Sequence, residues 1–140
     1  MNSKNQKIKI ATILPYKENY TFSKAQAAAI WVCDFFKYSK FKDNNFIFGN
    51  TKGHDYLTKN YINIKINNLK SKLSSSTSEY CKNFIFKNKK ITFDIIEIHN
   101  RPLVFNLLKK ELNSKFIMYF HNDPLSMNGS KSVNERLSLL

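Results

Sequence analysis

Glycine is scarce in this chain: three occur in 140 residues, alongside three prolines, two cysteines and one tryptophan. No G-x-G-x-x-G follows the first apolar run, no G-x-x-x-x-G-K-[ST] loop occurs, and no G-x-S-x-G elbow is present. A dinucleotide fingerprint, a P-loop and a hydrolase nucleophile elbow are therefore excluded as motifs. Gly49 and Gly53 read as ordinary turn glycines. Cys33 and Cys81 are isolated, so no disulfide framework is expected, and the few Cys and His show no zinc spacing. Both cysteines read as reduced, buried thiols of a cytoplasmic protein. No apolar run approaches the ~18 residues of a membrane span. The N-terminal stretch MNSKNQKIKIATILPY has neither a secretory h-region nor a small-residue cleavage site.

Acidic residues are few as well. Ten Asp and Glu face 23 Lys and Arg, a formal charge of +13. Such a surface attracts phosphates, nucleic acid or an anionic membrane leaflet. Only two of the cations are arginine, however; 21 lysines stand with 18 asparagines and 14 isoleucines, residues that AT-rich coding over-supplies. Nucleic-acid readers favour the planar, bidentate guanidinium, and these lysines are scattered. The charge selects no partner by itself. Hydrophobic content of 42% and aromatic content of 14% support one folded domain with a core.

Patterning along the chain predicts alternating strands and helices. KIKIATIL (7–14) is a near-continuous apolar strand, the pattern of burial on both faces. Pro15 ends it, and YKENYTFS forms a polar loop. Ser23 is placed to cap a helix over KAQAAAIWVCDFFKYSK, with Phe22, Ala25, Ala29, Val32 and Phe36 as its apolar stripe; Trp31, Phe35 and Phe36 read as core. NFIFGN (45–50) and the alternating YINIKI (61–66) are two further strands, the latter near a sheet edge. His54-Asp55, between them, reads as a solvated turn. A Ser-rich connector over 67–78 precedes a helix capped by Thr77 or Ser78. ITFDIIEIHN (91–100) is the fourth strand, and Pro102 starts the next helix. KFIMYF (115–120) is the fifth strand, and Ser132-x-x-Glu135 is a capping box opening a last helix. The order implies an α/β, Rossmann-like open, mostly parallel sheet with helices on both faces. In such sheets ligands bind at the carboxyl ends of the strands.

Two of those ends repeat a theme, His99-Asn100-Arg101-Pro102 and His121-Asn122-Asp123-Pro124. Each sets an imidazole, able to donate or accept near neutral pH, at the end of a strand. The segments FDIIEIHNRPLVFNLLKK and KFIMYFHNDPLSMNGSKSVNER together resemble the N-terminal domain of a family 4 glycosyltransferase with the GT-B fold, and Lys7–Leu140 corresponds in kind to that whole domain. The resemblance implies a retaining hexosyltransferase of envelope polysaccharide or lipopolysaccharide synthesis. It would use a nucleotide-sugar donor and a glycan or lipid-linked acceptor, without metal or other cofactor.

On that resemblance His121 is the catalytic residue facing the donor sugar, Asn122 and Asp123 orient their loop or bind acceptor hydroxyls, and His99, Asn100 and Arg101 line the substrate cleft. The first loop departs from relatives, which carry glycines there for the donor diphosphate; PYKENYTFSKAQA has none, and with Tyr16 it would serve the acceptor instead. The donor would sit on a C-terminal domain that these residues do not include, so 1–140 reads as an incomplete acceptor-side half, inactive by itself. The expected location is cytoplasmic, with peripheral contact to the inner face of the membrane. Two alternatives stand beside this: a standalone basic module for nucleic acid or anionic membrane, and half of a GT-B-type sugar-nucleotide isomerase.

Overall fold

The computed structural model describes residues 7–66 and 75–140. Most of the Ser-rich connector, 67–74, and the first six residues of the N-terminal stretch lie outside the described residues. The elements run β1 (Ile10–Ile13), α1 (Ala27–Tyr38), β2 (Asn45–Gly49), β3 (Tyr61–Asn63), α2 (Ser76–Lys87), β4 (Ile95–His99), α3 (Pro102–Glu111), β5 (Lys115–Tyr119) and α4 (Val133–Leu137). Among the described residues the sheet has five strands in the order β3-β2-β1-β4-β5. Every neighbouring pair is parallel, so the expected α/β, Rossmann-like architecture is present.

Alternation along the strands divides the core into two layers. Ala11, Ile13, Phe48, Ile96 and Ile98 pack under α2 and α3, against Tyr80, Cys81, Phe84, Val104, Phe105 and Leu108. Leu14 and Ile47 pack on the opposite face against Ala29, Val32 and Cys33 of α1. Helices therefore cover both faces. The small Ala28 and Ala29 let α1 lie close to the sheet. Cys33 and Cys81 are buried free thiols, and burial pushes Cys81 up to about 12, which keeps it protonated.

Several local expectations shift. α1 starts at Ala27, not after Ser23, and its N-cap, Gln26, makes no side-chain cap. Glu18 does that work from the preceding loop, accepting a hydrogen bond from Ala29 N at 3.0 Å. Ser75, not Thr77 or Ser78, caps α2, accepting from Ser78 N at 3.1 Å. Phe22 lies outside the helix and is 75% exposed. Trp31 and Phe35 are not core: both are more than 40% exposed, whereas Phe36 packs against the α1 layer. Gly49 is not a turn residue but the last of β2, where an added Cβ would lie 2.7 Å from the Tyr61 hydroxyl. Gly53 is in a turn with φ +106°.

Candidate functional site

β1 is the middle strand, with β2 on one side and β4 on the other. The connections after β1 and β4 leave in opposite directions there, which opens a crevice at the carboxyl ends. A cleft of about 680 Å³ occupies this position. Tyr16, Lys17 and Glu18 from the loop after β1 line it, with Asn100 and Arg101 after β4 and Asn122 and Lys131 after β5. The loop after β2 lines a neighbouring cleft that shares Tyr16 and Lys17.

The two H-N loops are joined side by side. Asn100 has φ 51°, a left-handed backbone for a non-glycine residue, a conformation that asparagine tolerates better than most and that marks functional turns. Its backbone N donates to Tyr119 O at 2.9 Å. Its side-chain Oδ1 accepts from His121 N at 2.7 Å. The strand pairing of β4 with β5 is thus carried one step further, into the loops. His99 then meets His121, with Nδ1 of the first 2.7 Å from Nε2 of the second.

Aromatic rings enclose this pair. Tyr119, the register partner of His99, stacks on it at 4.8 Å and 10°. Trp31 sets its edge against His121 at 5.1 Å and is 5.6 Å from His99. His99 is 1% exposed, so it lies behind His121 and does not line the cleft wall. Its Nε2 is buried without a hydrogen-bond partner. An orphaned N–H there would cost more than an orphaned lone pair. The favoured tautomer therefore protonates Nδ1, which donates to His121 Nε2, leaving the proton of neutral His121 on Nδ1. Burial, followed by the charge of His121, lowers His99 to about 3. Burial also lowers His121, partly offset by the Glu18 carboxylate. Both rings are neutral at pH 7.

On the same face of β4, Glu97 is 7% exposed. Thr12 Oγ1 lies 2.8 Å from its Oε2 and 3.0 Å from Asn45 Oδ1. Burial raises the Glu97 carboxyl, an effect the Thr12 hydrogen bond opposes.

The last loop is fixed from within. Asp123 Oδ1 accepts from Leu125 N at 2.9 Å, capping a short 3-10 turn over Pro124–Ser126. Gly129 (φ +92°) passes so close to α3 that a Cβ would sit 2.9 Å from Leu103 Cδ2 and 3.1 Å from its backbone N. The Ser132–Glu135 capping box forms as the sequence predicts, and Glu135 Oε1 also accepts from Gly129 N. Arg136 donates from Nη1 to Lys131 O at 2.7 Å.

Of the residues singled out from sequence, Tyr16, Asn100, Arg101 and Asn122 meet in the cleft, and His99 and His121 form the pair beside it. Asp123 is used in building its own turn. Trp31, Glu97, Gly129 and Lys131 are additional. The strand period alone places Glu97 beside His99 on one face, a signal present in the sequence. Among the described residues no group of three or more His, Cys, Asp or Glu could hold a metal ion, and no helix is long and apolar enough to cross a membrane. Comparisons with protein-family models, curated proteins and solved structures return no match for this chain.

Proposed function

We propose that this chain is the acceptor-side, N-terminal domain of a retaining glycosyltransferase that moves a sugar from a nucleotide donor to a glycan or lipid-linked acceptor. The observation that carries the reading is the joining of the two H-N loops, through the 2.7 Å His99–His121 contact, at the carboxyl edge of a parallel sheet and beside a sugar-sized cleft. These are the segments in which the resemblance to family 4 glycosyltransferases resides.

The geometry suits that chemistry. Glycosyl transfer passes through a transition state with positive charge on the sugar ring. A neutral imidazole does not repel that charge, and a fixed tautomer presents a hydrogen-bond donor without reorganisation. His99 supplies the fixing: by engaging Nε2 of His121 it leaves Nδ1–H as the ring edge for a sugar hydroxyl. Asn100 sets the height of the His121 backbone, and Trp31 limits rotation of the ring. Asn122, in the cleft wall, offers both amide donors and a carbonyl acceptor for hydroxyls. The cationic surface supports peripheral residence at an anionic leaflet, where lipid-linked acceptors would be presented.

Two experiments test this. The coding frame beyond Leu140 is expected to continue into a second α/β domain with two glutamates seven residues apart; a complete gene without such a domain would sink the reading. In the complete enzyme, His121→Ala is expected to lower kcat by about 100-fold or more, in the range of lost transition-state donors, with an unchanged thermal midpoint. Undiminished turnover would remove His121 from the chemistry.

A further inference from the structure

The cleft collects three cations against one carboxylate, Glu18, and among the described residues none of the three forms an ion pair. Lys17 comes from the loop after β1, Arg101 from the N-cap of α3 and Lys131 from the loop after β5, and all three line the same cavity. Among the described residues the ion pair within 4 Å is Lys37–Asp34, so none of the three has a carboxylate partner. The acid in the cleft wall, Glu18, is engaged by the first turn of α1, through Ala29 N.

Arg101 is also held in place. Its guanidinium carbon lies 5.6 Å from the centre of the Tyr16 ring, and Lys17 Nζ lies 5.7 Å from that same centre. Tyr16 in turn packs on Tyr80 at 6.2 Å, and the fully buried Tyr80 donates its hydroxyl to Leu14 O at 3.0 Å. Arg101 Nε is shielded from solvent and has no hydrogen-bond partner. The first turn of α3 contains no acid and the N-cap makes no side-chain bond, so the positive end of the helix adds to the same field.

Two cations over one tyrosine, a third lining the same cavity and an unpaired guanidinium nitrogen outweigh the single carboxylate there, Glu18, and form a site with excess positive charge. We infer that this cleft binds an anionic group, a phosphate or carboxylate, carried by the acceptor. Arg101 provides the planar fork, and Lys17 and Lys131 provide mobile point charges. As an acceptor subsite the inference rests on the transferase reading; as an anion site it does not.

Calorimetric titration of the full chain with glucose, glucose 1-phosphate, glucuronate and UDP tests it. Glucose 1-phosphate or glucuronate is expected to bind at least about tenfold more tightly than glucose, the worth of one charged hydrogen bond. UDP should bind no more tightly than the better of the two charged sugars. Arg101→Gln should remove most of that advantage. Lys40→Gln should leave it unchanged, because Lys40 follows the C-terminal end of α1, at the opposite edge of the sheet. Folding of each variant is checked by circular dichroism. Should Arg101→Gln not fold, the double variant Lys17→Gln/Lys131→Gln, at two exposed positions, must show the loss.

Glucose binding as tightly as the charged sugars would overturn the anion site, as would equal losses in the Arg101 and Lys40 variants. Preferred, Arg101-dependent binding of UDP would make this a donor-diphosphate site and overturn the acceptor assignment. A complete enzyme that transfers no sugar would remove the transferase reading while leaving the measured anion site in place.

Discussion

The buried imidazole of His99 contributes to the acid sensitivity of this protein. His99 titrates near 6.5 in an unfolded chain, but burial and the adjacent His121 lower it to about 3 in the fold. Between those values the unfolded state holds a proton that the native state lacks. The contribution is complete above about pH 6.5 and is lost on acidification, at up to about 1.4 kcal/mol per pH unit. His99→Gln keeps a neutral polar side chain and should flatten this dependence: its melting temperature should fall less between pH 7 and pH 5 than that of the parent. Parallel slopes would assign the acid sensitivity elsewhere. The placement of His99 at the end of β4 and of His121 just beyond β5 was legible in the sequence, because each follows an apolar run. Their contact was not, since it depends on β4 and β5 being neighbours in register. Trp31 was misread although the helical period held the answer. Ala29, Val32, Cys33 and Phe36 form one stripe, and residues 31 and 35 fall on the other side of that wheel.

Between elements, Gly129 lies close against the start of α3. A methyl group there meets the Leu103 side chain and backbone, and φ +92° is unfavourable for any L side chain. Gly129→Ala is expected to destabilise the protein by about 1–3 kcal/mol, read as a lower urea midpoint at unchanged m-value. A midpoint within error of the parent would show that the loop moves aside freely. The elements themselves were readable because strands buried on both faces are continuously apolar and Pro102 announces a helix start. Their caps were readable only where the partner is local. The Ser132–Glu135 box is contained in four residues and forms as expected. The partner at the start of α1 is Glu18, eleven residues from Ala29, so Ser23 was a reasonable but incorrect choice. Asn128-Gly129 is a local turn signal, but the close approach of Gly129 to Leu103 is not legible there, because it comes from another element.

For the whole molecule, cations exceed acids by 13, and Lys37–Asp34 is the ion pair within 4 Å among the described residues. Self-repulsion then works against the compact state. Raising NaCl from about 0.05 M to about 0.5 M, which shortens the screening length severalfold, should raise the melting temperature, the reverse of what a protein stabilised by surface ion pairs would show. A fall with salt would mean that attractive pairs dominate. The central position of β1 also governs the order of events in time. Thr12 and Glu97, side by side on β1 and β4, are 85 residues apart in sequence, and closing so long a loop is entropically slow. Local pieces such as the β4-α3-β5 unit can assemble early, but the cleft needs the ends of β1, β4 and β5 together. Arg101 belongs to that unit and Lys131 to the loop after it, whereas Lys17 arrives with β1. The three cations therefore meet only when the central strand docks, and a chain in which β1 is still free lacks the complete pocket.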